Sequence, residues 1–146
     1  MIKKASVLLI MLIVALNAFS QSKDAIVGKW LSESGEAQIL IYRKGNQFNG
    51  KIVWLKNPNS EEGKPLEDGN NPKKPLQKRP LIGLEILQNF VSSDINLWDK
   101  GTIYDPKSGK TYSCKMTMPT KEILNIRGYI GISLLGRTES WKKVKL

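Results

Sequence analysis

The chain contains no histidine and a single cysteine, Cys114. The first absence excludes Ser-His-Asp and Cys-His nucleophilic machinery, His-ligated zinc or iron, and haem on a His ligand. The second excludes an intrachain disulfide, so folding must rest on the hydrophobic core. Acidic residues are scarce as well: 13 stand against 23 Lys plus Arg, leaving a formal charge of +10 over 146 residues. Glycine-rich phosphate loops are missing, and the few carboxylates form no recognisable catalytic pair, although such pairs are defined in space rather than by spacing. What remains is enough for one domain with a modest core. Four tryptophans and an aromatic content of 8% rule out a disordered basic tail.

The first 20 residues read as an address. Lys3 and Lys4 give a positive start, residues 5–16 are uncharged and mostly apolar, and Ala18-Phe19-Ser20 places small residues at the −3 and −1 positions. This layout predicts a secretory signal peptide over 1–20, cut before Gln21. A membrane span needs about 20 apolar residues, and here Ser6 and Asn17 bracket a shorter run. The expectation is therefore an exported protein, periplasmic or secreted, with a single domain over 21–146 and no transmembrane anchor after cleavage. No cysteine follows the apolar run, which argues against a lipid-modified N-terminus.

Beyond residue 24 the dominant period is two. Residues 25–31 carry Ile26, Val27 and Trp30, and residues 37–43 carry Ile39, Leu40, Ile41 and Tyr42. Lys44-Gly45-Asn46-Gln47 supplies a hairpin turn. Phe48, Gly50, Ile52 and Trp54 then share one face of the next strand by simple alternation. Pro106-Lys107-Ser108-Gly109 marks a second hairpin, with proline early and glycine at a left-handed position. After it Tyr112, Cys114, Met116 and Met118 point one way, and Thr111, Ser113, Lys115 and Thr117 the other. Residues 122–130 and 136–144 complete the set around a bend at Gly131. Residues 81–91 fit either period, since Leu84, Leu87 and Val91 suit a helix while Leu84 and Ile86 suit a strand; the strand is preferred. About eight short strands predict an all-β fold, a small antiparallel β-barrel whose closure removes exposed edges. Such a barrel has room for side chains or one small ligand.

One segment breaks the rhythm. Residues 56–80 hold five of the seven prolines, with acidic residues first (Glu61, Glu62, Glu67, Asp68) and basic residues after (Lys73, Lys74, Lys78, Arg79). A long excursion of this kind inside a compact domain is often a lid or a binding loop.

Several short motifs occur in order: Ile26-Val27-Gly28-Lys29-Trp30; Asp68 with Asn71-Pro72; Arg79-Pro80-Leu81-Ile82-Gly83; Gly101-Thr102-Ile103-Tyr104-Asp105-Pro106; Gly109-Lys110-Thr111-Tyr112; Arg127-Gly128-Tyr129; and Leu135-Gly136-Arg137-Thr138-Glu139-Ser140-Trp141. In this register the chain resembles the bacterial exported family catalogued as domain of unknown function 2147 (DUF2147), over about residues 26–144. The resemblance implies a barrel like that of lipocalins or fatty-acid-binding proteins and an activity not yet established. The Gly28-x-Trp30 opening is similar to the lipocalin first-strand motif.

Candidate sites follow from these readings. Gly28, Trp30 and Trp141 are structural, with the two indoles on the first and last strands plugging the barrel. Trp54, Tyr112 and Met116 are candidates to line an interior cavity. Asp68, Asn71 and Arg79 form a candidate mouth, in which Arg79 could grip a carboxylate or phosphate; the same residues could instead close the loop on itself through hydrogen bonds. Cys114, Met116 and Met118 offer soft ligands suited to Cu(I), but without His or a second Cys the set is too small, so no metal or other cofactor is expected. The leading functional expectation is a non-catalytic binder of a small apolar or amphipathic ligand inside the barrel. The alternatives are a surface-binding module whose basic patch over 73–79 contacts envelope polyanions or lipid headgroups, and a histidine-free hydrolase using Asp68 and Arg79. Nucleic acid is not an expected partner of an exported chain.

Overall fold

The computed structural model describes residues 23–145, which form a closed barrel of eight antiparallel strands in simple up-and-down order. The strands are β1 (Gly28–Leu31), β2 (Ala37–Lys44), β3 (Gln47–Leu55), β4 (Glu85–Asp94), β5 (Leu97–Asp105), β6 (Lys110–Thr120), β7 (Ile123–Tyr129) and β8 (Gly136–Lys143). The barrel closes where β8 returns to β1, with Trp30 opposite Lys143 and Leu31 opposite Lys142. The predicted leader lies outside the described residues. Among the described residues no helix is long and apolar enough to cross a membrane.

The first strand begins later than the alternation suggests. Lys23–Ile26 is a 3-10 turn, which folds under the barrel and seals one end. Ile26 and Trp30 are fully buried there, and the Trp30 Nε1 donates to the Ile26 carbonyl at 2.8 Å. A second indole, Trp98 on β5, donates to the Lys23 carbonyl at 3.1 Å. Gly28 has φ +135, and a Cβ built there would lie 2.6 Å from the Lys143 Nζ. The missing side chain lets Lys143 cross the seam, donate to the Val27 carbonyl at 2.9 Å and sit 4.7 Å from the Trp30 ring centroid. Burial pulls the Lys143 ammonium below its usual pKa, with the nearby charge of Glu122 acting in the opposite sense.

The half of the barrel next to this seal is solid. Phe90, Leu87, Trp98, Met116 and Leu124 are fully buried and pack with Trp30. Two glycines in strands make room for the packing. A Cβ on Gly101 would come within 2.5 Å of the Phe90 ring, and one on Gly50 within 2.8 Å of Leu87 Cδ1. Met116, expected to line a cavity, belongs to this filled half. The ring of Trp98 on the neighbouring strand, opposite Met116 in register, occupies the space a ligand would need.

Bulges coil the sheet and shift its phase. Between β2 and β3 the register passes from Gln38 opposite Trp54 to Ile39 opposite Ile52, so one extra residue, Val53, is inserted. That insertion turns Trp54 outward, 41% exposed, and brings Leu55 in beside Ile52. Trp54 is therefore not an interior residue. A bulge in β4 lies at Asn89 (φ +65) and another in β5 at Lys100 (φ +61). The strand preferred over 81–91 forms from Glu85, and its burial follows neither simple period: Leu87 and Phe90 both face inward because a residue is looped out between them, while Val91 is only half-buried.

Cys114 is fully buried on β6, and burial pushes its thiol up to about 12. The thiolate is the reactive form. The folded protein is thus expected to resist a thiol reagent at neutral pH and to react fully once denatured; fast labelling of the native protein would contradict this burial.

Candidate functional site

The other half of the barrel is open. The β1–β2, β3–β4, β5–β6 and β7–β8 connections meet at this end around a cup of about 1060 Å³. Its lower wall is apolar: Ile39, Ile52, Ile86, Ile103 and Ile126 project inward, with Trp141 and Tyr112 beside them. Trp141 is buried and its Nε1 donates to Glu139 Oε2 at 3.2 Å. The indole therefore serves as a wall of the cup as well as a core residue, while Trp30 lies in the sealed half.

Polar groups gather at the rim. Arg137 and Glu139 alternate with Trp141 along the inward face of β8, Glu67 and Asn70 come from the β3–β4 connection, and Asp105 from the end of β5. Lys107 and Glu36 pair across the rim at 3.1 Å. The hydrogen bond from Lys107, and then its charge, hold the Glu36 carboxyl below its ordinary range. An apolar well with a few polar groups at its lip is the form taken by sites for small apolar or amphipathic molecules.

The candidate mouth residues converge, but on one another rather than on the cup. Asp68 is 0% exposed. Its Oδ2 accepts from Arg79 Nε and Asn71 Nδ2, each at 2.9 Å, and its Oδ1 accepts from the Tyr104 hydroxyl at 2.6 Å. Burial, and then the neighbouring Asp68 carboxylate, raise the Tyr104 phenol above its usual pKa. Backbone bonds add to the closure, with Asp68 N donating to the Arg79 carbonyl and Leu81 N to the Leu66 carbonyl. The excursion over 56–80 is consequently folded, with a short 3-10 turn at Lys74–Leu76. It is fastened to the β5–β6 hairpin through Asn70 Nδ2, which donates to the carbonyls of Pro106 and Lys107. Gly109 (φ +72) permits this contact, because a Cβ there would lie 2.0 Å from the Asn70 oxygen. Asp68 thus follows the loop-closing alternative, with Oδ2 held by Asn71 and Arg79 within the loop and Oδ1 by Tyr104 on β5. Asn71 and Arg79 instead border a separate hollow of about 340 Å³ beside Lys73, Gln88, Thr102 and Thr111. What the loop gives the cup is Asn57, Leu66, Glu67 and Asn70.

Of the residues proposed from sequence to line the cavity, Tyr112 does so. Sequence reasoning missed Trp98 in the core and Arg137 and Glu139 in the cup, and took Trp141, which completes their inward row, as structural alone. Strict alternation back from Trp141 would have found the row.

A solved structure described as "Protein HP1028 from the human pathogen Helicobacter pylori belongs to the lipocalin family" has a similar fold. The TM-score is 0.71 with 17% identity, over 82% of this chain and 83% of that one. At that identity the likeness speaks for the fold alone. No curated protein matches the chain. A family model described as "Uncharacterized protein conserved in bacteria (DUF2147)" matches residues 28–143, from the glycine beneath Lys143 to that lysine itself, and the chain belongs to this family.

Proposed function

We propose that this protein is an exported, non-catalytic carrier or receptor that holds a small apolar or amphipathic molecule in the open half of its barrel. The observation that supports this reading most directly is the division of the interior. One half is packed solid, and the other is a cup of about 1060 Å³ walled by isoleucines and Trp141. An apolar wall facing water carries a free-energy cost that a bound hydrocarbon would relieve, by about 0.8 kcal/mol for each buried methylene. The rim then meets the polar end of the guest with hydrogen-bonding groups such as Arg137 and Glu139.

The test uses Trp141 as reporter and dodecanol, dodecanoate and dodecylamine as probes. At least one probe is expected to shift tryptophan emission at low and at high salt alike, because burial in a cup is little affected by screening. Gly128 offers a way to block the site. A Cβ there makes only ordinary contacts, 3.5 Å from Ile103 Cγ2 and 3.6 Å from Tyr112 Cβ, and the residue lines the cup. Gly128→Leu should displace two or more methylenes of the guest and weaken binding about tenfold or more, with far-UV circular dichroism unchanged. If none of the three probes alters emission, the cup is not a hydrocarbon site.

A further inference from the structure

The β7–β8 connection is built unlike a normal hairpin turn. It carries Ile130, Ile132, Leu134 and Leu135, which are 71%, 59%, 84% and 76% exposed. Turns favour Gly, Asn, Asp, Ser and Pro, and four large aliphatic side chains held together in water mark an interaction site more often than an accident. The segment is also braced in its exposed form. Arg127 Nε donates to the Ser133 carbonyl at 2.6 Å, and Arg127 Nη1 to Thr138 Oγ1 at 2.8 Å. Lys115 Nζ reaches Ser133 Oγ at 3.4 Å from the neighbouring strand, and Leu135 N closes a 3-10 turn on the Ile132 carbonyl.

Three observations together select the partner. All four aliphatic side chains of the knuckle stand mostly in water, so it suits insertion into a deformable apolar phase. Its base is rich in cations: Arg127, Arg137 and Lys115 stand around it and outnumber Glu139, the acidic residue two positions after Arg137. And it stands on the lip of the cup, where Ile130 and Leu135 form part of the lining. We propose that the β7–β8 knuckle inserts into the headgroup region of an anionic lipid bilayer, with the open end of the barrel facing the membrane. Apolar side chains enter the acyl boundary while Lys115, Arg127 and Arg137 meet lipid phosphates, the combination by which peripheral anchors bind. Docked in this way, the cup opens toward the bilayer, and an amphipathic guest can pass between the two along the apolar side chains at the lip.

The proposal is tested with vesicles of phosphatidylcholine mixed with phosphatidylglycerol, and of phosphatidylcholine alone. The protein used begins at Gln21, since the apolar 1–20 segment would partition by itself and residues 23–145 supply every strand of the barrel. Wild type is expected to sediment with the anionic vesicles, less with the neutral ones, and less again as salt rises. The double substitution Ile132→Ser and Leu134→Ser should lower partitioning about tenfold or more. Both side chains are already in water, so the melting temperature should not change. Gly128→Leu should leave vesicle binding in place, which separates this surface from occupancy of the cup. Two results overturn the proposal: equal partitioning of wild type and double variant, or no sedimentation of wild type with either vesicle. A wild type that is dimeric in solution and made monomeric by the two serines overturns it too, because the knuckle then covers a second copy of the chain.

Discussion

Replacing Trp30 with alanine is expected to lower the free energy of unfolding by about 3–5 kcal/mol, a large part of the 5–15 kcal/mol typical of a domain. Three losses coincide at this position. The side chain is fully buried in the solid half of the barrel, so its removal leaves a cavity that neighbours such as Phe90 and Trp98 fill only in part. Its Nε1 is the partner of the Ile26 carbonyl, and without it the sealing turn at Lys23–Ile26 loses its tie to β1. Its ring also supports the Lys143 ammonium on the seam, where β1 and β8 pair through only two residues each. Urea denaturation followed by circular dichroism measures the effect, and a loss under about 1 kcal/mol would show that the seal is not what keeps the barrel closed. The comparison is Trp54→Ala. The same deletion at an outward-facing, 41% exposed indole should cost far less, within about 0.5–1 kcal/mol.

Asp68→Ala should cost about 3 kcal/mol and, more tellingly, release the loop over 56–80. The carboxylate accepts three side-chain hydrogen bonds in a site closed to water. Removing it leaves the Tyr104 hydroxyl proton and one Asn71 amide proton facing a gap, at the penalty of buried donors without an acceptor, while the Asn71 Nδ2 bond to the Tyr104 oxygen at 3.2 Å remains. Arg79 softens the loss, because its side chain is 37% exposed and can turn to solvent. Limited trypsin digestion reads the outcome. Lys73, Lys74 and Lys78 are exposed but lie in a loop fastened at both ends, so wild type should be cut there slowly and the variant at least about tenfold faster. Because Leu66, Glu67 and Asn70 wall the cup, probe binding should weaken along with the loop. A variant as resistant as wild type would mean that the backbone bridges alone hold the excursion.

The strands from residue 28 onward were legible because most of them keep one face in the core and one in water. That condition writes hydrophobicity into every second residue. Turn chemistry was readable where a left-handed residue was needed, at Gly45 (φ +64) and Gly109 (φ +72). What alternation could not carry was a change of phase. The extra residue at Val53 moves Trp54 from the inside to the outside, and nothing in the local composition marks that position as bulged. For the loop over 56–80, closure by Asp68, Asn71 and Arg79 was legible as one of two readings, but the partners outside the loop were not. Its order comes from contacts distant in sequence, such as Asp68 with Tyr104 and Asn70 with Pro106, and those exist only once the barrel has formed. The knuckle was visible as composition, since isoleucines and leucines surround Gly131 and Ser133, yet only the fold shows that nothing covers them.

The placement of the two chain ends carries a practical corollary. Lys143 reaches across to Val27, and the Val144 amide donates to the Lys29 carbonyl, so the described chain starts and stops at the same pole, opposite the cup. A fluorophore, an affinity handle or a solid support joined beside Lys23 or Lys145 would therefore leave the aperture unobstructed. A short linker from 145 back to 23 could tie the two ends together, and the molecule could then be reopened in one of the tight turns of the sealed pole without disturbing its guest.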